Sequence, residues 1–270
     1  MSTEPIITIR KSTHDLAILI AGNVYATQLP EETERYFLEN KGEVIPAILR
    51  GFVIQKEVKV EISTPQPPNL TNTGHTFADW LTARERVHDF LTGEAINLRG
   101  MFMVPNDLLT RTDIIPVFRP AGATNRVAMD WKVKLGMCAS YEETNVMEYK
   151  NSKGPQVFKL YYINKSVRPD EDTLGEKAMS PDQLVATGKN WLNLYGWSDA
   201  DNLYSLITGT HLDSGETWTW FPNDRLSGGL DVAHGCWNMS TAQARFGWFY
   251  RDGCTPDIGA RVAIPLSLRT

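Results

Sequence analysis

Short apolar runs separated by polar breaks fill the first 63 residues of the chain. They are rich in β-branched residues and fall at 6–9, 16–24, 44–54 and 58–62. Runs of this length and composition predict β-strands. A short helix is predicted among them over Glu31–Asn40, between a proline and a glycine. Residues 1–63 are therefore expected to form a β-rich N-terminal region.

The next 12 residues, 64–75, are rich in proline, threonine and asparagine and predict a linker or long loop. The clearest amphipathic helix follows over Thr76–Leu91, where apolar residues recur every three to four positions and Gly93 suits the helix end. His88 lies on the charged side of this pattern and is expected at the solvated surface. Strand-like runs follow, and with the helix they predict an α+β middle region over residues 76–179. These runs lie at 114–118, 127–135 and 157–163.

The last third of the chain begins with Ser-Pro-Asp-Gln at 180–183. This order combines an N-cap serine, a first-turn proline and a glutamine that closes a capping box. The helix that it opens is predicted to end at Gly196. Six of the eight tryptophans lie in residues 191–248, and alternation predicts that Trp218 and Trp220 share one side of a strand. Core packing is the favoured role for most of these rings, and an exposed aromatic binding surface is the alternative.

Composition narrows the class of protein. Apolar residues make up 42% and charged residues 22% of the 270 residues, as in an ordinary globular chain. The net charge of −5 gives no general attraction to nucleic acid or anionic membranes. Residues 1–15 lack the pattern of a secretory signal, and no early apolar run is long enough to span a bilayer. We therefore expect synthesis in the cytoplasm without a signal peptide, no membrane insertion and no nucleic-acid partner.

The order of motifs near residue 250 resembles a known family. The motifs are Gly-Cys-Trp-Asn at 235–238, an arginine- and aromatic-rich run at 245–252, and Gly-Ala-Arg at 259–261. They resemble the end of C-type-lectin-like modules of the formylglycine-generating-enzyme and retroelement-variable-protein type, as found on phage tail or fibre proteins. In those modules a Gly-Gly-Ser-Trp-like turn precedes a Gly-Phe-Arg strand, so Cys236 and Ala260 depart from the pattern. The resemblance implies an α+β fold class, in which the β-rich N-terminal region precedes a C-type-lectin-like module over 180–270.

Cysteine chemistry gives one alternative for function. Cys138, Cys236 and Cys254 are too few for a disulfide framework, and free thiols are expected, although the last two lie near enough in sequence to pair. Formylglycine-generating enzymes hold copper with two close cysteines, and the 18-residue separation of Cys236 and Cys254 does not match that pair. The alternative function is nevertheless an intracellular cysteine-dependent oxidase of this type.

Other catalytic and metal-binding patterns are weak in this sequence. It has no nucleophile elbow, phosphate-binding glycine loop, His-Glu-x-x-His or Cys-x-x-Cys motif, so no catalytic residue and no cofactor is predicted. His211, Asp213 and Glu216 place an imidazole and two carboxylates within six residues. They are weak metal candidates, because polar turns have the same composition without a metal, and no metal is predicted.

The leading hypothesis is therefore a non-enzymatic binding or assembly protein. The resemblance implies a structural component of a phage or virus virion, in the tail, fibre or capsid, with a receptor- or ligand-binding C-terminal module. The expected partners are other copies of the chain in a homo-oligomer, other virion proteins, and a cell-surface receptor or glycan. Rigid aromatic side chains next to amides are typical of such surfaces. The predicted binding residues are Trp218, Trp220, Asn223, Trp237 and Asn238.

Overall fold

The computed structural model describes residues 66–137, 154–225 and 229–269. The chain divides into two compact units, Met1–Pro65 and Gln66–Thr270. The strands predicted within residues 1–63, the helix over Glu31–Asn40 and Cys138 lie outside the described residues. The described part contains both helices and sheets, as the α+β prediction requires.

Helix α1 spans Phe77–Thr92 and confirms the first predicted helix. Thr76 accepts a hydrogen bond from the backbone of Asp79 and the Asp79 side chain accepts one in return, while Gly93 ends the helix in the left-handed conformation. The prediction that His88 is solvated is wrong. His88 is 4% exposed and its ring meets Phe118 edge-on at 5.4 Å. The imidazole of His88 therefore packs in the core. The charged residues next to it along the helix suggested a solvated face and did not indicate this contact.

The first sheet contains β1 (Ile114–Arg119), β2 (Lys159–Asn164) and β7 (Ile264–Leu266), in the order β1-β2-β7 and antiparallel throughout. The first two strands confirm the predictions at 114–118 and 157–163. Two single-turn helices, α2 (Leu98–Met101) and α3 (Asn106–Leu109), precede this sheet.

The strand predicted at 127–135 is wrong, because residues Asn125–Lys134 form helix α4. The Thr124 hydroxyl accepts a hydrogen bond from the backbone of Val127 and starts the helix. Ala128, Met129 and Lys132 are buried on one side, at helical spacing. The β-branched and aromatic residues in this run suggested a strand, but burial of this face favours the helix.

The single helix predicted from Ser180 to Gly196 is two helices. The capping box at Ser180 is present and opens α5, which covers only Pro181–Ala186. Gly188, at φ 69°, turns the chain away after α5. Asn193 then accepts a hydrogen bond from the backbone of Gly196 and starts α6, which spans Leu194–Thr208. Gly196 therefore lies in the first turn of a helix and does not end one. Two 3-10 turns, Glu171–Thr173 and Gly175–Lys177, precede α5.

The second sheet contains β3 (Trp218–Arg225), β4 (Asp231–Asn238), β5 (Gln243–Tyr250) and β6 (Ile258–Gly259), in the order β5-β4-β3-β6. Its pairs are antiparallel except β3 with β6, which is parallel. Trp218 and Trp220 share one face, as predicted, since both rings meet the His234 ring edge-on, at 4.9 and 5.3 Å.

Helix α6 packs between the two sheets. All its residues from Leu194 to Tyr204 are buried, and the core cluster around it contains Val117 of β1 and Phe246 of β5. A helix buried on all sides holds the hydrophobic faces of both sheets together. The segment after β5 continues this connection, because β6 joins the second sheet and β7 joins the first. Among the described residues, no helix has the length and apolar character needed to cross a membrane.

Candidate functional site

Helix α6 carries two carboxylates into the core, and each meets a buried cation from another helix. Asp199 Oδ1 lies 2.5 Å from Arg84 Nη2 of α1, and Asp201 Oδ2 accepts a 2.5 Å hydrogen bond from Lys132 Nζ of α4. All four side chains are fully buried. Because an unpaired buried charge is strongly unfavourable, each pair fixes the position of one helix on α6.

A third buried pair joins Asp213, in the loop after α6, to Arg261 between β6 and β7. The two side chains are 2.8 Å apart, and Arg261 also donates to the backbone oxygens of Ser166 and Val167. Asp213 further accepts hydrogen bonds from Trp197 Nε1 and the Thr219 hydroxyl. Burial raises the pKa of Asp213, and the positive charge of Arg261 opposes that rise. This carboxylate is occupied by protein donors, so its role is to join four segments.

His211 has different partners from Asp213, and the two do not form a joint metal site. His211 Nδ1 lies 3.0 Å from Asp201 Oδ2, and its Nε2 lies 3.2 Å from the Ser205 hydroxyl. The third weak metal candidate, Glu216, is exposed. Within the described residues, no group of three or more histidine, cysteine, aspartate or glutamate side chains is arranged to hold a metal.

The order Asp201–His211–Ser205 is that of a serine-hydrolase relay, which the sequence did not suggest. A nucleophilic serine also requires N–H donors for the oxyanion that forms on its substrate. Ser205 instead lies in the last turn of α6, where backbone carbonyls accumulate negative partial charge. Its own carbonyl accepts the N–H of Gly209, which ends the helix. The polarity of this helix end opposes an oxyanion, and the contacts of His211 with Asp201 and Ser205 join the loop after α6 to the helix.

A tryptophan ring holds His211 from the other side. The Trp237 and His211 rings stack with their centroids 3.4 Å apart and 9° between planes. Lys132 Nζ lies 5.5 Å from the Trp237 centroid, within the range of a cation–π contact. Trp237 is 5% exposed. Its ring therefore packs against the buried group formed by Asp201, Lys132 and His211, and it offers little surface to a partner.

The five predicted binding residues are not brought together at one exposed surface. Trp220 is fully buried, as Trp237 nearly is, so both belong to the core. Trp218 is half-buried, with the Arg245 guanidinium 5.6 Å from its ring centroid. Asn223 is exposed on β3, and the half-buried Asn238 uses its side chain to accept hydrogen bonds from Ser240 in the turn after β4. The prediction that most of the tryptophans pack in the core agrees with the burial of Trp220 and Trp237.

Among the described residues, the most exposed aromatic side chains lie elsewhere, at the end of β5. Trp248 is 52% exposed and Tyr250 63% exposed on one face of the strand, and Leu230, whose backbone oxygen accepts the N–H of Arg251 just after the strand, is 63% exposed. Phe249, on the opposite face, is 40% exposed and contacts Trp220. We call these four residues the aromatic edge. In the described part of the second sheet, β5 is a terminal strand. The sequence shows that residues 246–250 are rich in aromatic side chains. It does not show which of these side chains are buried by the rest of the fold and which are exposed.

The two described cysteines are both free and lie in different environments. Cys254 is exposed, whereas Cys236 of β4 is 7% exposed. Burial raises the pKa of the Cys236 thiol to about 12, and the negative charge of Asp213 adds to the rise. Because the thiolate is the reactive form, Cys236 is a poor nucleophile and a poor metal ligand at neutral pH.

The fold and these contacts define an α+β protein with a paired, charged core and an exposed aromatic strand end. Comparisons of the chain with protein-family models, with curated proteins and with solved structures found no match.

Proposed function

We propose that this chain is a non-enzymatic binding and assembly protein, and that the aromatic edge joins it to a second copy of itself. The observation that carries the proposal is the grouping of Leu230, Trp248, Phe249 and Tyr250. Phe249 and Tyr250 point to opposite faces of β5, but their ring centroids are 5.9 Å apart, so the exposed rings meet around the end of the strand. At roughly half exposure the four side chains together present on the order of 400 Å² of apolar surface. That is about half of what one partner contributes to a standard protein interface, so the edge suits the centre of a larger contact.

The charges beside the aromatic edge favour a second copy over a strongly charged partner. Asp231 pairs with Tyr250 across the strands, and Arg251 and Asp252 follow directly after β5. Arg251 Nε donates to Asp182 at 2.6 Å, which keeps both signs of charge close to the rings. A surface with both signs can be complementary to itself when two copies meet about a two-fold axis.

A virion is the setting that we propose for this assembly, as a tail, fibre or capsid-associated component. The support for it is the resemblance of the motifs at 235–261 to C-type-lectin-like modules of phage tail and fibre proteins. A C-type-lectin-like fold over residues 180–270 is part of the same proposal, as is binding of a receptor or glycan. The cysteine-dependent oxidase is less well supported, because Cys236 is buried with a raised pKa and no disulfide joins it to Cys254.

Size measurements test the proposal directly. We expect light scattering of the purified full chain at tens of micromolar to give a mass above that of one chain. Trp248→Ser combined with Tyr250→Ser should shift the mass to that of a monomer, while Met103→Ser, at an equally exposed residue away from β5, should leave it unchanged. A monomeric wild-type chain, or an assembly unaffected by the double substitution, would contradict self-association through this edge. Electron microscopy of particles labelled with an antibody to the chain tests the virion setting separately.

A further inference from the structure

A cleft of about 580 Å³ lies between the end of α1, the loop after β1 and helix α4. This volume is within the range of cavities that hold small molecules. Its walls are mostly apolar and include the aromatic rings of Trp131 and Phe158. Phe158 is held in place by stacking on Phe118, with centroids 6.0 Å apart and 10° between planes. The cleft therefore has flat aromatic walls suited to a planar or compact apolar group.

One polar side chain in the wall has a ring nitrogen without a hydrogen-bond partner in the part of the chain that the structure describes. His88 lines the cleft, is 4% exposed, and its Nδ1 is buried with no hydrogen-bond partner among the described residues. Burial lowers the pKa of His88, and the nearby charge of Arg84 lowers it further. At neutral pH the ring is therefore uncharged and offers one acceptor nitrogen. Because a buried polar atom without a partner is unfavourable, a donor on a molecule bound in the cleft is one way to satisfy this nitrogen.

The charge of the lining selects between ligand types. Glu94 is the one carboxylate among the described residues that line the cleft, and none of them is lysine or arginine. A carboxylate and a neutral imidazole both accept hydrogen bonds, and aromatic walls attract a cation. An anionic ligand would meet the repulsion of Glu94 without a compensating positive side chain in the lining, because the nearby Arg84 is already paired with Asp199.

We propose that this cleft binds a small organic amine with an apolar or aromatic body. The ammonium group lies between Glu94 and His88, and the apolar body lies against Trp131 and Phe158. This binding is independent of the proposed assembly through the aromatic edge. The volume of the cleft, the unpartnered Nδ1 of His88 among the described residues and the sign of the charge in the lining favour such a ligand.

Three molecules of the same shape test the charge preference. We would titrate the full chain with 2-phenylethylamine, 2-phenylethanol and phenylacetate, following the His88 ring by NMR. We expect the amine to bind about ten times more tightly than the alcohol and the acid not to bind. Equal binding of acid and amine, or no binding of any of the three, would overturn the proposal.

Two substitutions locate the binding. Glu94→Gln should remove the preference for the amine over the alcohol without changing the fold, because Glu94 is exposed. Ala121→Trp, also at an exposed position in the lining, should fill the cleft and abolish binding of both molecules. Circular dichroism would show that both variants are folded. Binding of the amine that persists in a folded Ala121→Trp variant would place it elsewhere and contradict the inference.

Discussion

The guanidinium of Arg84 and the carboxylate of Asp199 lie 2.5 Å apart with no exposed surface on either side chain. Asp199 also accepts a hydrogen bond from the backbone N–H of Phe118, at 2.9 Å. The pair thus connects α1 and α6 and touches the first sheet at β1. Pairs of this kind make both partners indispensable to each other, because either one alone would be a buried charge.

Replacing Arg84 by Met should lower the free energy of unfolding by about 3–5 kcal/mol, since Asp199 loses its counter-charge. Adding Asp199→Asn to that variant should recover part of the loss, because the amide needs no counter-charge. Urea denaturation at pH 7 measures the wild type, the two single variants and the double variant. Additive losses in the double variant would show that the two residues are not coupled.

The pH dependence of stability tests the same carboxyl group. Burial raises the pKa of Asp199 to about 6 from an ordinary value of 3.8, while Arg84 opposes the rise. The native state then binds this proton more tightly than the unfolded state. Its contribution to stability is present below about pH 4 and is lost as the pH rises through about 6.

The wild-type chain should therefore lose stability relative to Asp199→Asn between pH 4 and pH 6. Urea denaturation of both proteins across that interval gives the difference, in which the titration of other groups cancels. If the stability difference between the two proteins does not change between pH 4 and pH 6, or shifts in favour of the wild type as the pH rises, the pKa of Asp199 is not raised.

Ser205 should behave as a structural residue. Ser205→Ala removes one hydrogen bond to His211 and should lower the free energy of unfolding by about 1 kcal/mol. A fluorophosphonate probe should leave Ser205 unlabelled in the wild-type chain, because the end of α6 provides no oxyanion donors. Mass spectrometry of the probe-treated protein checks this, with Ser205→Ala as the matched control. Labelling that is lost in the variant would establish a nucleophile and revive an enzymatic role.

Thiol labelling separates the two described cysteines. In a Cys138→Ser background, an aromatic disulfide reagent at pH 8 should modify Cys254 rapidly and Cys236 only after unfolding, because Cys236 is buried with a pKa of about 12. The absorbance of the released thiolate measures both phases. Adding Cys254→Ser should remove the fast phase. A fast phase that survives this substitution would mean that Cys236 is accessible.

The elements predicted correctly are those whose signals are local. Thr76 and Gly93 mark the two ends of α1 with caps that depend only on residues next to them. The capping box at Ser180 has the same property, and it is also present. Glycine and asparagine are common at helix ends, so Gly196 suggested the end of a single helix. Asn193 and Gly196 instead lie at the start of α6, and the end of α5 was therefore not predicted.

The buried charged network could not be predicted, since its contacts join residues far apart in sequence. Lys132 and Asp201 are 69 positions apart, and nothing in either segment indicates the other. Two aspartates in an otherwise apolar helix, at 199 and 201, were the available signal. Such residues are usually solvated, and only burial of α6 on all sides reverses that expectation.

The division of residues 258–266 between the two sheets has a consequence for the order of folding. β6 completes the second sheet at Trp218 and Thr219, and β7 completes the first at Leu160, across a chain separation of 106 residues. Contacts of such separation close large loops and form slowly. During synthesis, a nascent chain that ends before residue 258 lacks β6 and β7. Each sheet is then missing one strand, and Asp213 has no Arg261 with which to pair. Chaperone binding to nascent chains that stop before residue 258 should therefore exceed that to chains extending past residue 266.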